Sequence, residues 1–201
     1  LLVPKLQNYQ KIKSKIKNLY LKLSINDENM SSVYTLIKLL KIRENLFLKS
    51  LNTFSGLPHR YEVFLRKKNC VFINDSKATT FQASKLALKN SKNIFWIVGG
   101  LPKKDDKFNL TNLKKNIVKS YIIGKNISFF KNQIRNKLNY KIVKNLNNAV
   151  RQILKDIKIS NLKDNKILLS PASASFDQFS NFEQRGDKFK KISRFYARRI
   201  I

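Results

Sequence analysis

Three short segments of this 201-residue chain combine charged, hydroxyl and small residues in patterns that suit the binding of an anion. The first, residues 74–80, places Asp75 and Lys77 beside the hydroxyls of Thr79 and Thr80. If a helix follows, its free backbone N–H groups and its dipole favour a negative ligand at this point, and a lysine adds to the attraction. The same residues also suit a simple helix cap, with Thr79 or Thr80 as the N-cap and Lys77 in solvent.

The second segment, residues 99–106, opens with two glycines and continues to Lys103, Lys104 and two aspartates. Glycine lets a backbone approach a ligand closely, and Lys103 could project over the end of a preceding strand. The segment is not a phosphate-binding P-loop, because no Gly-Lys-Ser/Thr occurs anywhere in the chain. A flexible polar loop is the alternative interpretation.

The third segment, residues 170–186, begins with a run of serines, alanines and one proline after an apolar stretch. Small residues after a buried strand leave hydroxyls and backbone N–H groups free to line a site. The segment therefore predicts either a cradle for an acidic ligand or a close-packed turn.

The elements that must position these segments are short apolar strands that alternate with helices. Predicted strands are residues 62–66, 70–74, 94–98, 120–123, 140–143 and 166–169. Predicted helices are residues 81–89, 110–117, 127–138 and 146–157, with a last helix marked by Phe189, Ile192 and Tyr196. This alternation predicts an α/β, Rossmann-like fold with a mostly parallel sheet and helices on both faces. Because ligands bind outside the carboxyl ends of such strands, the three segments should share one edge.

The first part of the chain predicts helices and carries no evident chemistry. Apolar residues at Val33, Ile37 and Leu40 have helical spacing, and a second helix is predicted at residues 44–51. The sequence Ser-Gly-Leu-Pro at residues 55–58 interrupts both patterns and predicts a domain boundary.

The charge of +30 raises the question of a polyanionic partner. The chain has 33 lysines and only 9 arginines, and they are spread along its length. Lysine, asparagine and isoleucine, which have A/T-rich codons, account for 77 of the residues. Recognition of bases and phosphates favours arginine over lysine. A genomic drift towards A/T-rich codons therefore explains the charge as well as a functional surface would. Both interpretations stay open.

Targeting and redox features predict a cytoplasmic protein without a membrane span. No run of 18 apolar residues occurs, and the first residues lack a signal-peptide pattern. A lone cysteine, Cys70, excludes an internal disulfide and fits a reducing compartment. The chain does not begin with Met, which we interpret as a start inside a longer polypeptide.

In order and spacing, these motifs resemble the D-glutamate-adding branch of the Mur ligase family. The matching residues are 56–62, 74–79, the Gly99-Gly100 pair with Lys103, and 170–175 continuing to 182–186. The resemblance is strong from about Ser55 onward. It implies that residues 57–201 are the C-terminal, amino-acid-binding domain, and that residues 1–56 are the helical tail of the central ATP-binding domain.

The resemblance also implies an activity. Family members use ATP and magnesium to activate the carboxylate of UDP-N-acetylmuramoyl-L-alanine as an acyl phosphate, which the amine of D-glutamate then attacks. The product is a peptidoglycan precursor. The family's P-loop, metal-binding residues and uridine domain lie upstream of the matched region, so the chain by itself should be inactive and should hold no metal of its own.

Nine positions correspond to functional residues of the family. Those implied for nucleotide binding are Asn29, Arg60 and Asp75. Those implied for D-glutamate are Thr79 and Lys103 at one carboxylate, and Ser175 with Phe176 and Phe182 at the other. Lys77 is implied as catalytic. The sequence leaves open whether Lys103 or the adjacent Lys104 makes the contact.

Two other classes of function are alternatives to a ligase. A basic α/β module could bind nucleic acid, but the chain lacks the stripe of aromatic and arginine residues that such binding uses. A catalytically inactive remnant could serve as an interaction domain, and the sequence alone does not separate this from an active ligase domain.

Overall fold

The computed structural model describes residues 6–18 and 20–201 (residues 6–8 by their backbone alone). The chain folds into two compact units, Leu1–Leu57 and Pro58–Ile201. The predicted identity of the first unit, the tail of an ATP-binding domain, stays a prediction.

The first unit is helical. It contains α1 (Leu6–Lys13), a 3-10 turn (Ser24–Asn26), α2 (Asp27–Leu39) and α3 (Glu44–Leu51). Its core is formed by buried apolar side chains from all three helices and the segments between them: Tyr9, Ile12, Ile16, Leu21, Met30, Tyr34, Ile37 and Phe47.

Helix α2 presents a different face to the core from the one the sequence indicates. Of the predicted stripe only Ile37 is buried, whereas Val33 and Leu40 are 41% and 69% exposed. Met30 and Tyr34 take the inward positions instead. Met30, Tyr34 and Ile37 have the same spacing as the predicted stripe but are displaced along the helix. The Tyr34 hydroxyl also donates to the Glu44 side chain at 3.0 Å. Two stripes with the same period cannot be told apart by periodicity alone.

The second unit is built on a sheet of six strands. The strands are β1 (Glu62–Lys67), β2 (Cys70–Asn74), β3 (Ile94–Val98), β4 (Ile117–Ile123), β5 (Tyr140–Lys144) and β6 (Asn165–Leu169). Their order in the sheet is β1-β2-β6-β3-β4-β5. Only the β1–β2 hairpin is antiparallel, and the other neighbours run parallel. The predicted Rossmann-like sheet is confirmed.

Helices cover both faces of this sheet: α4 (Phe81–Lys89), α5 (Ile127–Ile134), α6 (Leu146–Ile159) and α7 (Phe182–Ile200). One core packs α6 and α7 against alternate strand residues such as Phe72, Phe95 and Tyr121. On the other face Trp96 meets an aromatic group that includes Phe81 of α4 and Phe130 of α5, joined through Phe108. Alternation along each strand supplies both cores, as expected for a buried parallel sheet.

The order of the strands fixes where a ligand can enter. From β3 the chain moves outward to β4 and β5, then returns through α6 to insert β6 between β2 and β3. The segment that leaves β3 places Phe108 on the face covered by α4 and α5, whereas the segment that leaves β6 leads into α7 on the opposite face. In an open α/β sheet, this divergence opens a crevice at the carboxyl ends of the two strands.

Three predicted elements of the second unit differ from the structure, and one of them, the strand predicted at residues 120–123, begins earlier, at Ile117. The helix predicted at residues 110–117 is wrong, because these residues form turns and a 3-10 helix at Lys114–Asn116, and Ile117 already belongs to β4. Leu110 and Leu113 are buried, as the pattern indicates, but at a three-residue spacing that a 3-10 turn also provides. Helix α5 ends at Ile134 instead of residue 138, because Arg135 leaves the helical conformation, with ψ of 144°.

None of the helices that the structure describes is long and apolar enough to span a bilayer. Cys70, at the start of β2, is buried, and burial raises the pKa of its thiol.

Candidate functional site

The three segments singled out in the sequence meet at the carboxyl ends of β2, β6 and β3. The Asp75 N–H donates to the Leu169 carbonyl at 2.7 Å, and the Gly99 N–H donates to the Pro171 carbonyl at 3.0 Å. Beyond the sheet, Leu101 and Ala174 exchange two backbone hydrogen bonds, at 2.9 and 3.0 Å, as an isolated antiparallel bridge. The second and third segments are thus joined directly.

Arg185 of α7 joins the first segment to the third. Its guanidinium is almost wholly buried. Nε donates to Ser76 Oγ at 3.0 Å and Nη2 to the Ser76 carbonyl at 2.8 Å. Nη2 also donates to the Ser173 carbonyl at 3.0 Å, and Nη1 to the Ala174 carbonyl at 3.3 Å. Burial lowers the pKa of Arg185 to about 10, so the group stays charged at neutral pH.

Gly99 and Gly100 are required where they stand. Both have φ in the region that favours glycine, +133° and +142°. A Cβ on Gly99 would collide with the Ile123 carbonyl. A Cβ on Gly100 would lie 2.5 Å from Ser173 Oγ and would also meet the Ala174 carbonyl. Gly100 therefore lets the loop after β3 approach the loop after β6, and Gly99 lets it pass close to the end of β4.

Asp75 is held by the chain's own donors. Its carboxylate accepts the Tyr61 N–H at 3.1 Å and the Ser170 hydroxyl at 2.7 Å. Burial raises the pKa of Asp75 to about 7, although both hydrogen bonds and the charge of Arg60 act to lower it. A buried charge is costly, and here the cost of burial outweighs the two hydrogen bonds and the nearby charge.

The single tryptophan is hydrogen-bonded to the same cluster of residues. Trp96 Nε1 donates to the Ser170 carbonyl at 2.7 Å, and the Ser84 hydroxyl donates to the same carbonyl at 3.1 Å. Ser170 therefore links the indole of β3 to the carboxylate of Asp75.

His59 packs behind the first segment. Its Nδ1 lies 2.9 Å from Asn74 Nδ2, and its carbonyl accepts the Lys77 N–H at 3.0 Å. Gly186 of α7 makes room for the ring, since a Cβ there would collide with His59 and would lie 2.9 Å from Asn74 Nδ2. His59 is buried and contributes to packing at the site.

Helix α4 is capped by the chain itself. Thr80 is the N-cap, and its hydroxyl accepts the Ala83 N–H at 3.3 Å. The N–H of Phe81, the first helical residue, donates to the carboxylate of Asp106 at 2.8 Å. These contacts agree with the helix-cap interpretation of residues 74–80, with Thr80 as the N-cap, and the anion-binding interpretation stays a prediction.

The residues predicted to bind D-glutamate lie on these loops. Thr79 is half-buried just before α4, and Lys103 is exposed two residues beyond the Leu101–Ala174 bridge. Ser175 follows that bridge and is 2% exposed.

The remaining predicted residues of the second unit have different surroundings. The Phe176 side chain is 69% exposed, and Lys104 is exposed beside Lys103. Lys77 extends its Nζ over the ring of Phe182, 3.8 Å from the centroid.

The predicted nucleotide contacts are divided between the two units. Arg60 is exposed near Asp75, whereas Asn29 lies on the exposed side of α2 in the first unit. Arg60 presents a guanidinium that suits a phosphate. Among the described residues, no three His, Cys, Asp or Glu side chains cluster as metal ligands.

Two organising residues, Arg185 and Asp106, are not evident as such from the sequence. Arg185 stands there only as part of a motif, and Asp106 only as part of a polar loop. Neither burial nor the partner of a charged side chain can be read from local sequence, because the contact of Arg185 with Ser76 spans 109 residues. The one available signal is that each lies in a segment that follows a strand.

The fold is that of the Mur ligases. A crystal structure of MurF from Acinetobacter baumannii aligns with 85% of this chain and 38% of its own, with a TM-score of 0.61 and 13% identity. MurF from Thermotoga maritima, in complex with ADP, aligns with 86% of this chain and 39% of its own, with a TM-score of 0.55 and 15% identity.

Sequence relatives are more specific. The chain is 38% identical over 188 residues to a UDP-N-acetylmuramoylalanine–D-glutamate ligase of Wolbachia (from Brugia malayi), covering 94% of this chain and 37% of the relative. It is 39% identical over 169 residues to the ligase of the same name from Nitrobacter hamburgensis, covering 84% of this chain and 36% of the relative. No protein-family model matches. The chain is thus related to D-glutamate ligases of the Mur family over most of its own length, and it spans a little over a third of theirs.

Proposed function

We propose that this chain is the amino-acid-binding part of an ATP-dependent ligase that adds D-glutamate to UDP-N-acetylmuramoyl-L-alanine in peptidoglycan synthesis. The observation that carries the proposal is the meeting of three loops, which bear Thr79, Lys103 and Ser175, at the switch point of the sheet. The names of the sequence relatives support the choice of D-glutamate as the substrate.

One carboxylate of D-glutamate would bind between Thr79 and Lys103. A hydroxyl donor and an ammonium suit a carboxylate, and the exposed lysine can reach over the strand ends. Lys104 has the same chemistry but lies at the following position of the turn.

The second carboxylate would bind at Ser175. This residue is buried beside the Leu101–Ala174 bridge, and its hydroxyl is a donor that suits a carboxylate. The backbone at Phe176 and Phe182 adds N–H donors, and Phe182 is the first residue of α7, where N–H groups have no helical partner. Donors at two ends would fix a dicarboxylate and so aim its amine.

The nucleotide would lie on the side of Arg60 and Asp75 in the second unit. The role of Asn29 stays a prediction from the family resemblance. When bound, ATP supplies the phosphoryl group that activates the acceptor carboxylate as an acyl phosphate. Magnesium would be held mainly by residues outside this chain, as the family resemblance implies. Asp75 would act mostly by holding Tyr61 and Ser170, since both its oxygens already accept hydrogen bonds.

Lys77 is proposed as the catalytic residue of this chain. The Phe182 ring holds its ammonium by a cation–π contact at 3.8 Å, which restricts a flexible side chain. Placed beside the reacting carboxylate, this charge would stabilise the negative charge that develops as the amine attacks.

The test is steady-state kinetics of the full-length ligase that contains this chain. Lys103→Ala should raise KM for D-glutamate on the order of tenfold to a hundredfold, because a charge-assisted hydrogen bond contributes about 1.5–3 kcal/mol. KM for ATP should change little. Lys104→Ala is the matched control and should have a much smaller effect. If neither variant changes KM for D-glutamate, the assignment of this loop is wrong.

Salt separates this proposal from general attraction of anions to a chain of charge +30. The effect of Lys103→Ala should persist at high salt if the contact is made in a water-poor site, whereas attraction to an exposed charge is screened. We also expect the chain alone to hydrolyse no ATP, because it has no P-loop. ATP hydrolysis by the purified chain would contradict this view.

A further inference from the structure

Asp106 joins the lysine-bearing loop to the threonine-bearing helix start. Its carboxylate accepts the N–H of Phe81 at 2.8 Å, in the first turn of α4 and two residues after Thr79. Its own N–H donates to the Lys103 carbonyl at 3.2 Å, which closes the turn that starts at Lys103. One residue therefore contacts both loops at which D-glutamate is proposed to bind.

A second contact, between two aromatic rings, holds the same loop against α4. The ring of Phe108 stacks on the ring of Phe81, with 4.4 Å between centroids and 16° between planes. The Phe108 N–H donates to the Gln133 side chain at 3.0 Å, so the end of the loop is also tied to α5. Residues 103–108 are thus held in place at both ends, and Asp106 makes the polar contact nearest to Lys103.

The charge of Asp106 suits this position. A carboxylate at the N-terminus of a helix is stabilised by the helix dipole and by the free N–H groups of the first turn. Asp106 is half-buried, whereas the adjacent Asp105 is exposed and makes no such contact within the described residues. The two aspartates of the loop are therefore not equivalent.

We propose that Asp106 is a positioning residue, which holds the Lys103 turn against the start of α4 so that Lys103 and Thr79 face the same substrate carboxylate. This inference rests on the proposed D-glutamate site. Asp106 does not touch the substrate, and it acts through the placement of Lys103.

The test uses the full-length ligase and three variants of this loop. Asp106→Ala removes the acceptor for Phe81, and a misplacement of about 1 Å can cost on the order of a hundredfold, so KM for D-glutamate should rise about tenfold or more. KM for ATP should stay within about twofold, because this tie does not reach the proposed nucleotide side. Asp106→Asn keeps an oxygen acceptor and should restore most of the loss. Asp105→Asn is the matched control and should behave as wild type.

A merely structural role would give a different result. General destabilisation would lower the amount of active enzyme and kcat for all substrates, without a selective rise in KM for D-glutamate. If Asp106→Ala and Asp106→Asn both leave this KM within about twofold of wild type, the proposal is overturned. It is likewise overturned if the two variants raise it equally, since the acceptor would then not be what matters.

A double variant separates this inference from the proposed function. If Asp106 acts through Lys103, the variant that carries both Lys103→Ala and Asp106→Ala should be no worse than Lys103→Ala alone. Effects that multiply would reject the positioning role and leave the D-glutamate site intact. If Lys103→Ala alone has no effect on KM for D-glutamate, it is the proposed site that fails, whatever Asp106 does.

Discussion

Arg185 grips Ser76 at two points, with Nε donating to its hydroxyl at 3.0 Å and Nη2 to its carbonyl at 2.8 Å. The Ser76 hydroxyl in turn donates to the carbonyl of Phe182, at the start of the helix that carries Arg185. A residue at the end of β2 and a residue near the start of α7 are thus closed into one hydrogen-bonded ring. This ring fixes the first segment of the site to the third.

Replacing Arg185 with lysine should destabilise the second unit by about 3–5 kcal/mol, because buried acceptors lose their donors and an ammonium cannot copy the planar fork. Urea unfolding followed by circular dichroism measures the change. Arg198→Lys, at an exposed position of the same helix, is the control and should stay within about 0.5 kcal/mol of wild type. A loss below about 1 kcal/mol for Arg185→Lys would show that the ring carries little of the fold's stability.

Asp75 should make the chain less stable as the pH rises. The unfolded carboxyl ionises near its ordinary pKa of 3.8, whereas burial raises the folded pKa to about 7. The folded state therefore binds more protons between these values, and the stability due to this group, full below pH about 4, is lost as the pH rises to about 7. At about 1.36 kcal/mol per pKa unit, the loss is on the order of 4 kcal/mol at most.

Asp75→Asn isolates this effect, because the amide keeps an acceptor for the Tyr61 N–H and does not ionise. The difference in unfolding free energy between variant and wild type should shift by about 2–4 kcal/mol in favour of the variant from about pH 4 to about pH 8. Fluorescence of Trp96, which donates a hydrogen bond to the Ser170 carbonyl, gives a local readout of unfolding. A wild-type titration at a pH near the Asp75 pKa of about 7 that persists in Asp75→Asn would assign the change to another group.

Gly186→Ala tests a conflict between helix propensity and packing. In the middle of a helix, alanine is favoured over glycine by about 1 kcal/mol. Here the new methyl group would collide with His59 and approach Asn74, and overpacking costs about 1–3 kcal/mol. We expect the variant to be less stable than wild type in thermal unfolding.

The background His59→Gly decides the cause. His59 has φ of +62°, which glycine tolerates, so removing the ring leaves space without new strain. In this background Gly186→Ala should be less destabilising than in wild type, because only the close approach to Asn74 Nδ2 remains. If it remains as harmful as in the wild-type background, contact with the ring is not the reason.

Periodicity predicted most of the fold where a pattern ran long enough. The six apolar positions of α6, from Leu146 to Ile157, are all buried, because a pattern over about three turns leaves one possible face. The prediction for residues 110–117 failed because Leu110 and Leu113 satisfy a helix and a 3-10 turn equally well over so short a span.

The location of the site was predictable, but its internal connections were not. The rule that ligands bind at carboxyl ends of parallel strands pointed to the three loops that meet there. It does not say that Asp75 is covered by Ser170, which is 95 residues away, or that Asp106 caps α4. Such contacts depend on the three-dimensional approach of distant segments, and a single sequence carries no local signal for them.

Cys70 gives this molecule a built-in reporter of opening. Its thiol is 1% exposed on β2, the strand that leads to Asp75, and burial raises its pKa. Alkylating reagents attack the thiolate, so they can react only when β2 separates from its neighbours. The rate of modification of the native chain therefore measures how often this part of the sheet opens. A cysteine introduced on an exposed loop will react before Cys70, so a label can be attached to it selectively.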